Sequence, residues 1–196
     1  MSTITVPTPL PSPAADAESL WNAVQGNLLV SLVRSYRCAE EAVDVGIARL
    51  EAAQLAEAIR KKKQPHADEV VRIVSTRSKA QLRATFQCYK QDHGSYIEED
   101  INNCSSSQFA RMLKIAVWCL TSPEKHFAEV IRYSILGIGT DEDALTRAIV
   151  SRAEIDMEKI KQEYKVRLKS TVTNDVIGDT SGYYMDILLA LVGNED

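Results

Sequence analysis

The sequence repeats itself once, with a spacing of 75 residues that needs no gap. The sequence segment from Ile73 to Arg77 is similar to the segment from Ala148 to Arg152. Identical residues also recur at this spacing, among them Arg77 and Arg152, Tyr89 and Tyr164, Asp100 and Asp175, Leu113 and Leu188, and Val117 and Val192. A repeat of this length is typical of one supersecondary unit that is used more than once. It predicts two copies of a five-helix unit, at residues 45–119 and 120–196.

Apolar residues recur at steps of three and four along most of the chain, which is the period of an amphipathic helix. Ser78 and Ser105, each with a glutamine three residues later, predict capping boxes, and Ser122-Pro123 predicts a further helix start. Nothing alternates for long with a period of two. The strongest stripe comprises Phe109, Met112, Leu113, Ala116, Val117 and Leu120. The pattern predicts an all-α chain.

Composition narrows the classes of function. A net charge of −4 argues against a nucleic-acid binder that works by general charge. No apolar run approaches the roughly 18 residues of a membrane span, and the N-terminus lacks the pattern of a secretory signal. The four cysteines and three histidines are scattered without the spacing of a zinc site. These features favour a reduced, cytoplasmic protein.

The N-terminal part differs from the rest. Prolines stand at every second position from Pro7 to Pro13, so residues 1–16 are expected to be a flexible, polyproline-like lead. Two short helical patterns follow at residues 17–24 and 27–37, with almost no loop between them. Residues 17–44 therefore precede the two repeat copies as a separate region.

Gly137-Ile138-Gly139-Thr140 lies between two helical patterns. Two glycines one residue apart let the backbone turn sharply at positive φ and point several carbonyls at one spot. A second glycine-bounded turn, residues 178–182, contains Asp179. Carbonyl and carboxylate oxygens are the hard ligands that calcium takes, so the two turns predict a calcium site if they are neighbours. We also expect Thr140 to cap the next helix, with Asp143 as its capping-box partner.

The repeat length, the G-x-G-T turn before the second helix of the unit and the Gly-Asp-Thr-Ser-Gly turn before its last helix together resemble an annexin repeat. The amino-acid sequence at residues 119–125 and 144–154 resembles that of plant-type annexins. The resemblance covers about residues 27–196. It implies four all-α, five-helix repeats in a curved disc that binds calcium and, through it, acidic phospholipid, without catalysis. Residues 45–119 resemble the third repeat, residues 120–196 resemble the fourth, and residues 17–44 resemble remnants of the first and second.

The resemblance also implies the ligands of one calcium ion. They are the main-chain carbonyls of Ile135, Gly137 and Gly139 and the carboxylate of Asp179, and Ile138 at the tip of the loop would contact lipid. These groups supply about four or five of the six to eight oxygens that calcium takes, and a single carboxylate predicts a Kd of about 10⁻⁴ M or weaker without lipid. Alternatively, the glycines only make a turn between helices and Asp179 caps the last helix.

The first copy has no such motif. The 75-residue spacing places Lys62, Gln64 and Cys104 where the second copy has its two glycines and its aspartate. We therefore expect no calcium in the first copy. Lys61, Lys62 and Lys63 occupy the turn instead, and each can contact an anionic lipid surface for about 1 kcal/mol. Alternatively, they form a solvated helix C-terminus, where lysine complements the helix dipole.

The resemblance implies that most of the first and second repeats is missing between Gly26 and Asn27. Faces that those repeats cover in annexins would then expose apolar residues, and exposed apolar patches indicate association. We therefore expect self-association or pairing with a full-length annexin, and a truncated interaction module is the alternative function. Val71-Arg72-Ile73 resembles a phrase proposed for actin contact in the family, and it also fits an ordinary helix core.

Overall fold

The computed structural model describes residues 28–34, 37, 42–137 and 139–193. Within these residues the chain forms eleven α-helices and no strand, which confirms the predicted all-α fold. The features predicted for residues 1–27, and the lipid contact predicted for Ile138, lie outside the described residues. The helices are α1 (Leu28–Arg34), α2 (Val45–Ala56), α3 (Asp68–Thr76), α4 (Lys79–His93), α5 (Ile97–Cys104), α6 (Gln108–Thr121), α7 (Pro123–Ile135), α8 (Glu142–Arg152), α9 (Met157–Leu168), α10 (Val172–Asp179) and α11 (Gly182–Val192).

The chain divides between Val117 and Trp118 into two compact units. In the first unit, α2 packs on α4 and α1 packs on α3. A π-helical segment, Glu57–Lys61, continues α2 without a break. The largest fully buried side chains of this unit are Tyr89, Leu28, Leu55, Ile59, Ile73, Leu82, Ile97, Ile101 and Leu113. They form the apolar core that the three- and four-residue periodicity predicts.

In the second unit, α7 packs on α8 and α9, and α11 packs on α8 and α10. Its buried residues form one cluster: Ala128, Ile131, Ile135, Leu145, Ala148, Ile149, Met157, Ile160, Tyr164, Val172, Val176, Leu188 and Val192. This core holds the C-terminus of α7 and the helices that follow it, which fixes the turn after α7 on a packed scaffold. Among the described residues, no helix is long and apolar enough to cross a membrane.

The two units repeat a polar contact as well as their helices. Helix α5 begins and ends 75 positions before α10. The buried Tyr89 donates a hydrogen bond to Asp100 Oδ2 at 2.8 Å, and the buried Tyr164 donates to Asp175 Oδ2 at 2.5 Å. The pKa of both phenols is raised, mainly because they are buried and to a smaller extent because of these hydrogen bonds. A serine five positions before each aspartate donates to it too, namely Ser95 and Ser170.

Two predicted capping boxes differ from the structure. Ser78 caps α4 as expected, because its hydroxyl accepts from Gln81 N at 3.1 Å. The Gln81 side chain does not close the box: it exchanges two hydrogen bonds of 2.9 Å with the main chain of Asp44. At α6 the cap is Ser107, which accepts from Ala110 N at 3.2 Å, and not Ser105. Neighbouring serines offer equivalent caps, and packing selects between them.

Candidate metal site

The turn after α7 has the backbone that its two glycines predict. Gly137 has φ 131° and Gly139 has φ 89°, both in the region that favours glycine. The turn is closed where Asp141 N donates to Ser134 O at 2.8 Å, and α7 ends where Leu136 N donates to Arg132 O at 3.0 Å. The glycine turn is therefore held at both ends by main-chain hydrogen bonds.

Asp179 lies beside this turn. Thr140 Oγ1 lies 2.5 Å from Asp179 Oδ2 and 3.0 Å from Asp179 O, and it donates to both. The bond joins residues 39 positions apart and brings the carboxylate to the end of the glycine turn. The two turns are neighbours, which is the condition that the sequence left open.

The same bond overturns the expected role of Thr140 as a helix cap. Asp141 is the N-cap of α8, and its carboxylate accepts from Ala144 N at 3.0 Å. Thr140 is thereby free to hold Asp179. Asp179 does not cap the last helix either: it is the final residue of α10, and Ser181 occupies the N-cap of α11. The alternative role for Asp179 as a cap is wrong.

The main-chain oxygens of the turn are available to a cation. In the described part of the chain, the carbonyls of Ile135, Gly137 and Gly139 accept no hydrogen bond. Carbonyl oxygens that are not engaged in the fold can serve as ligands without breaking an existing bond. No group of three or more His, Cys, Asp or Glu side chains among the described residues is arranged to hold a metal. A cation at this place would depend on main-chain oxygens and one carboxylate, the donor set that suits calcium.

The equivalent turn of the first unit has a different chemistry. Cys104 ends α5 as Asp179 ends α10. Lys61, Lys62 and Lys63 are exposed, and Lys63 has φ 56°. The turn offers ammonium groups and a thiol where the second unit offers a carboxylate.

The segment Val71-Arg72-Ile73, which resembles a proposed actin contact, lies in α3. Val71 and Ile73 are buried, and Arg72 lies 3.5 Å from the buried Glu51 carboxylate. Both apolar residues belong to the core of the unit, as the helix-core interpretation expects.

Comparison with known proteins decides the family. The family model for annexins matches residues 51–115 and 126–191, which together are more than half of the chain. This chain is a member of the annexin family. Annexin D3 of Arabidopsis thaliana is 46% identical over 169 residues, which cover 86% of this annexin and 52% of the relative. The chain thus spans about half the length of the curated relatives it matches.

Solved structures agree with this assignment. A structure of chicken annexin V matches with a TM-score of 0.73 and 35% identity, covering 85% of this chain and 53% of that one. A calcium-bound annexin (Sm)1 matches with a TM-score of 0.65 and 26% identity, covering 78% of this chain and 41% of that one. Both comparisons confirm the annexin fold.

Proposed function

We propose that this annexin binds acidic phospholipid membranes through a calcium ion held by the turn after α7. The observation that carries the proposal is the hydrogen bond from Thr140 to Asp179, because it brings the one carboxylate to the glycine turn. Calcium ligation in annexin (Sm)1, a structural relative, supports the same chemistry here. We place the protein in the cytoplasm, bound peripherally to membranes when calcium is present, and the proposal includes no catalytic step.

The ligands are the carbonyls of Ile135, Gly137 and Gly139 and the carboxylate of Asp179. These residues fit calcium because, among the described residues, the three carbonyls accept no hydrogen bond, and because Thr140 holds the carboxylate beside the turn. They supply about four or five of the six to eight oxygens that calcium takes. Lipid phosphate and water would complete the shell. Bound calcium supplies the positive charge that lets an acidic chain, of net charge −4, meet an acidic surface.

We further propose that residues 45–119 and 120–196 are the third and fourth annexin repeats. The family matches at residues 51–115 and 126–191 fall within these bounds. Residues 17–44 would carry remnants of the first and second repeats, after the proline-rich lead at residues 1–16. The proposed calcium site then belongs to the fourth repeat.

Sedimentation with vesicles tests the calcium proposal. Vesicles of phosphatidylserine and phosphatidylcholine should pull down the wild-type chain in millimolar calcium and release it in excess chelator. Asp179→Asn removes the negative charge and one of the two carboxylate oxygens, and it should lose the calcium-dependent fraction. Asp186→Asn is the matched control, since Asp186 is an exposed aspartate of α11 in the same unit.

Two outcomes contradict the proposal. Wild-type protein that stays soluble with phosphatidylserine vesicles in calcium excludes the membrane function. Asp179→Asn protein that sediments like Asp186→Asn at every calcium concentration excludes the site. Circular dichroism of each variant checks that the helices are retained, and a tube without lipid separates binding from aggregation.

A second candidate function is an interaction module that pairs with itself or with a full-length annexin. Exposed apolar side chains favour it: Val33 is 86% exposed and Leu50 68% exposed in the first unit, and Tyr183 is 89% exposed in the second. Exposed apolar patches mark association surfaces. Analytical ultracentrifugation in chelator separates the candidates, because an interaction module associates without calcium and tolerates Asp179→Asn.

A further inference from the structure

A groove of about 600 Å³ is lined by residues of α7 and α8 in the second unit. Phe127 and Val130 form its apolar wall, and both are half-buried residues packed against the core of the unit. Its charged groups are Asp141 and Asp143 at the start of α8 and Arg147 one turn later. Sites for small organic ligands have volumes of ~300–1,000 Å³ and combine apolar walls with a few polar groups. The groove has both properties.

The first unit has a carboxylate at the corresponding place. Glu51 is buried, Arg77 donates to its Oε1 at 2.8 and 2.7 Å, and Arg72 lies 3.5 Å from the same oxygen. The 75-residue spacing places His126 where the first unit has Glu51. It places Arg147 where the first unit has Arg72. The second unit therefore keeps the arginine and lacks the glutamate.

The two arginines of the second unit differ in what they contact. Arg152 pairs with Asp156 at 2.5 Å, and its guanidinium carbon lies 4.6 Å from the centroid of the Phe127 ring. Arg147 is exposed and, within the part of the chain that the structure describes, makes no hydrogen bond and no ion pair. The same holds for Asp143, although residues four positions apart on a helix can pair. The groove thus presents one cation and one anion that the fold does not neutralise.

These charges decide which class of ligand fits. A simple carboxylate would meet Arg147 but also the like charges of Asp141 and Asp143, and a simple amine would meet Arg147 as a like charge. A zwitterion can place its carboxylate against the arginine and its ammonium group against the aspartates. Side chains four positions apart on a helix are about 5–6 Å apart at Cβ. The two ends of an extended dipeptide are roughly 7 Å apart, so a dipeptide can reach both charges.

We propose that this groove binds a small apolar zwitterion, of the kind formed by a dipeptide with apolar side chains. Arg147 donates to the carboxylate, Asp143 accepts from the ammonium group, and Phe127 contacts an apolar side chain of the ligand. A guanidinium group suits this role because it can donate two parallel hydrogen bonds to one carboxylate. The inference rests neither on the calcium site nor on membrane binding.

The test is an NMR titration of the isotope-labelled full chain with phenylalanyl-leucine in excess chelator. The peptide with both ends free should shift amide signals of α7 and α8 in a saturable manner. Its N-acetyl form lacks the ammonium group and its C-terminal amide lacks the carboxylate. Each should bind about tenfold more weakly, because a hydrogen bond between charged groups in an open groove is worth about one factor of ten.

Two variants assign the two charges. Arg147→Gln should weaken binding of the free peptide about tenfold and leave that of the C-terminal amide unchanged, because the amide lacks the charge that the arginine contacts. Asp143→Asn should weaken the free peptide equally and leave the N-acetyl form unchanged. Lys159→Gln and Asp186→Asn are matched controls, because these exposed residues of α9 and α11 carry the same charges and do not line the groove. His126→Glu rebuilds the acidic side chain of the first unit and should block the peptide.

Four results overturn the inference. A free peptide that causes no saturable shift at millimolar concentration excludes the site. An Arg147→Gln chain that loses the free peptide and the amide equally excludes the carboxylate contact, and an equal loss in Lys159→Gln assigns binding to general charge. Analytical ultracentrifugation that shows a dimer dissociated by Arg147→Gln, without peptide binding, assigns the groove to a second copy of the chain. Circular dichroism verifies that every variant remains folded.

Discussion

Thr140 is the residue whose substitution most sharply tests how the candidate site is built. Thr140→Val keeps the shape of the side chain and removes the hydroxyl that donates to Asp179 Oδ2 at 2.5 Å and to Asp179 O at 3.0 Å. A hydrogen bond to a charged group contributes about 1.5–3 kcal/mol, and the low end applies because both residues are half-buried. The free energy of unfolding should fall by about 1.5 kcal/mol and the Tm by about 3–6 °C.

The larger effect of Thr140→Val should be on calcium. Without its partner the Asp179 carboxylate is no longer fixed beside the glycine turn, and groups that orient metal ligands typically contribute about 10- to 100-fold in affinity. The calcium concentration for half-maximal vesicle binding should therefore rise at least about tenfold. Thr140→Ser restores the hydroxyl and should recover most of the affinity. A Thr140→Val chain with the wild-type calcium requirement would refute the reasoning, whatever its stability.

Two further predictions concern the backbone and the buried phenols. Gly139→Ala should lower the free energy of unfolding, measured with denaturant, by about 1–2 kcal/mol. The cause is the φ of 89° alone, because an added Cβ would meet no atom within 4 Å. Gly178→Ala is the control and should not lower it, because Gly178 has equal space and no positive φ. The raised pKa of Tyr89 and Tyr164 predicts stability that is present below about pH 10, the ordinary phenol pKa, and is lost as the pH rises above it. Unfolding free energies measured on both sides of that pH should fall more steeply for the wild type than for Tyr164→Phe, and parallel curves would contradict this.

The candidate site was predictable to the extent that it depends on backbone geometry. The two glycines of the turn, Gly137 and Gly139, favour positive φ because glycine adopts it at no steric cost, and both have it. The closeness of Asp179 followed from resemblance to a family and not from the residues themselves, because a contact over 39 positions leaves no local signal.

Caps and helix ends were less predictable. Thr140 and Asp141 are both good N-caps, and the sequence cannot choose between them when the choice depends on a distant carboxylate. Asp141 takes the cap and Thr140 takes Asp179. The π-helical continuation of α2 was also missed, since no residue pattern signals the wider turn. It places Lys62 and Lys63 at an exposed tip, a consequence that the periodicity does not contain.

A crystal structure of the chain in millimolar calcium tests the central claim most directly. We expect one ion in the turn after α7, at about 2.3–2.6 Å from the carbonyl oxygens of Ile135, Gly137 and Gly139 and from a carboxylate oxygen of Asp179. We expect no calcium at Lys62 and Lys63 in the first unit. An ion bound elsewhere, with this turn unchanged and without calcium, would contradict the account.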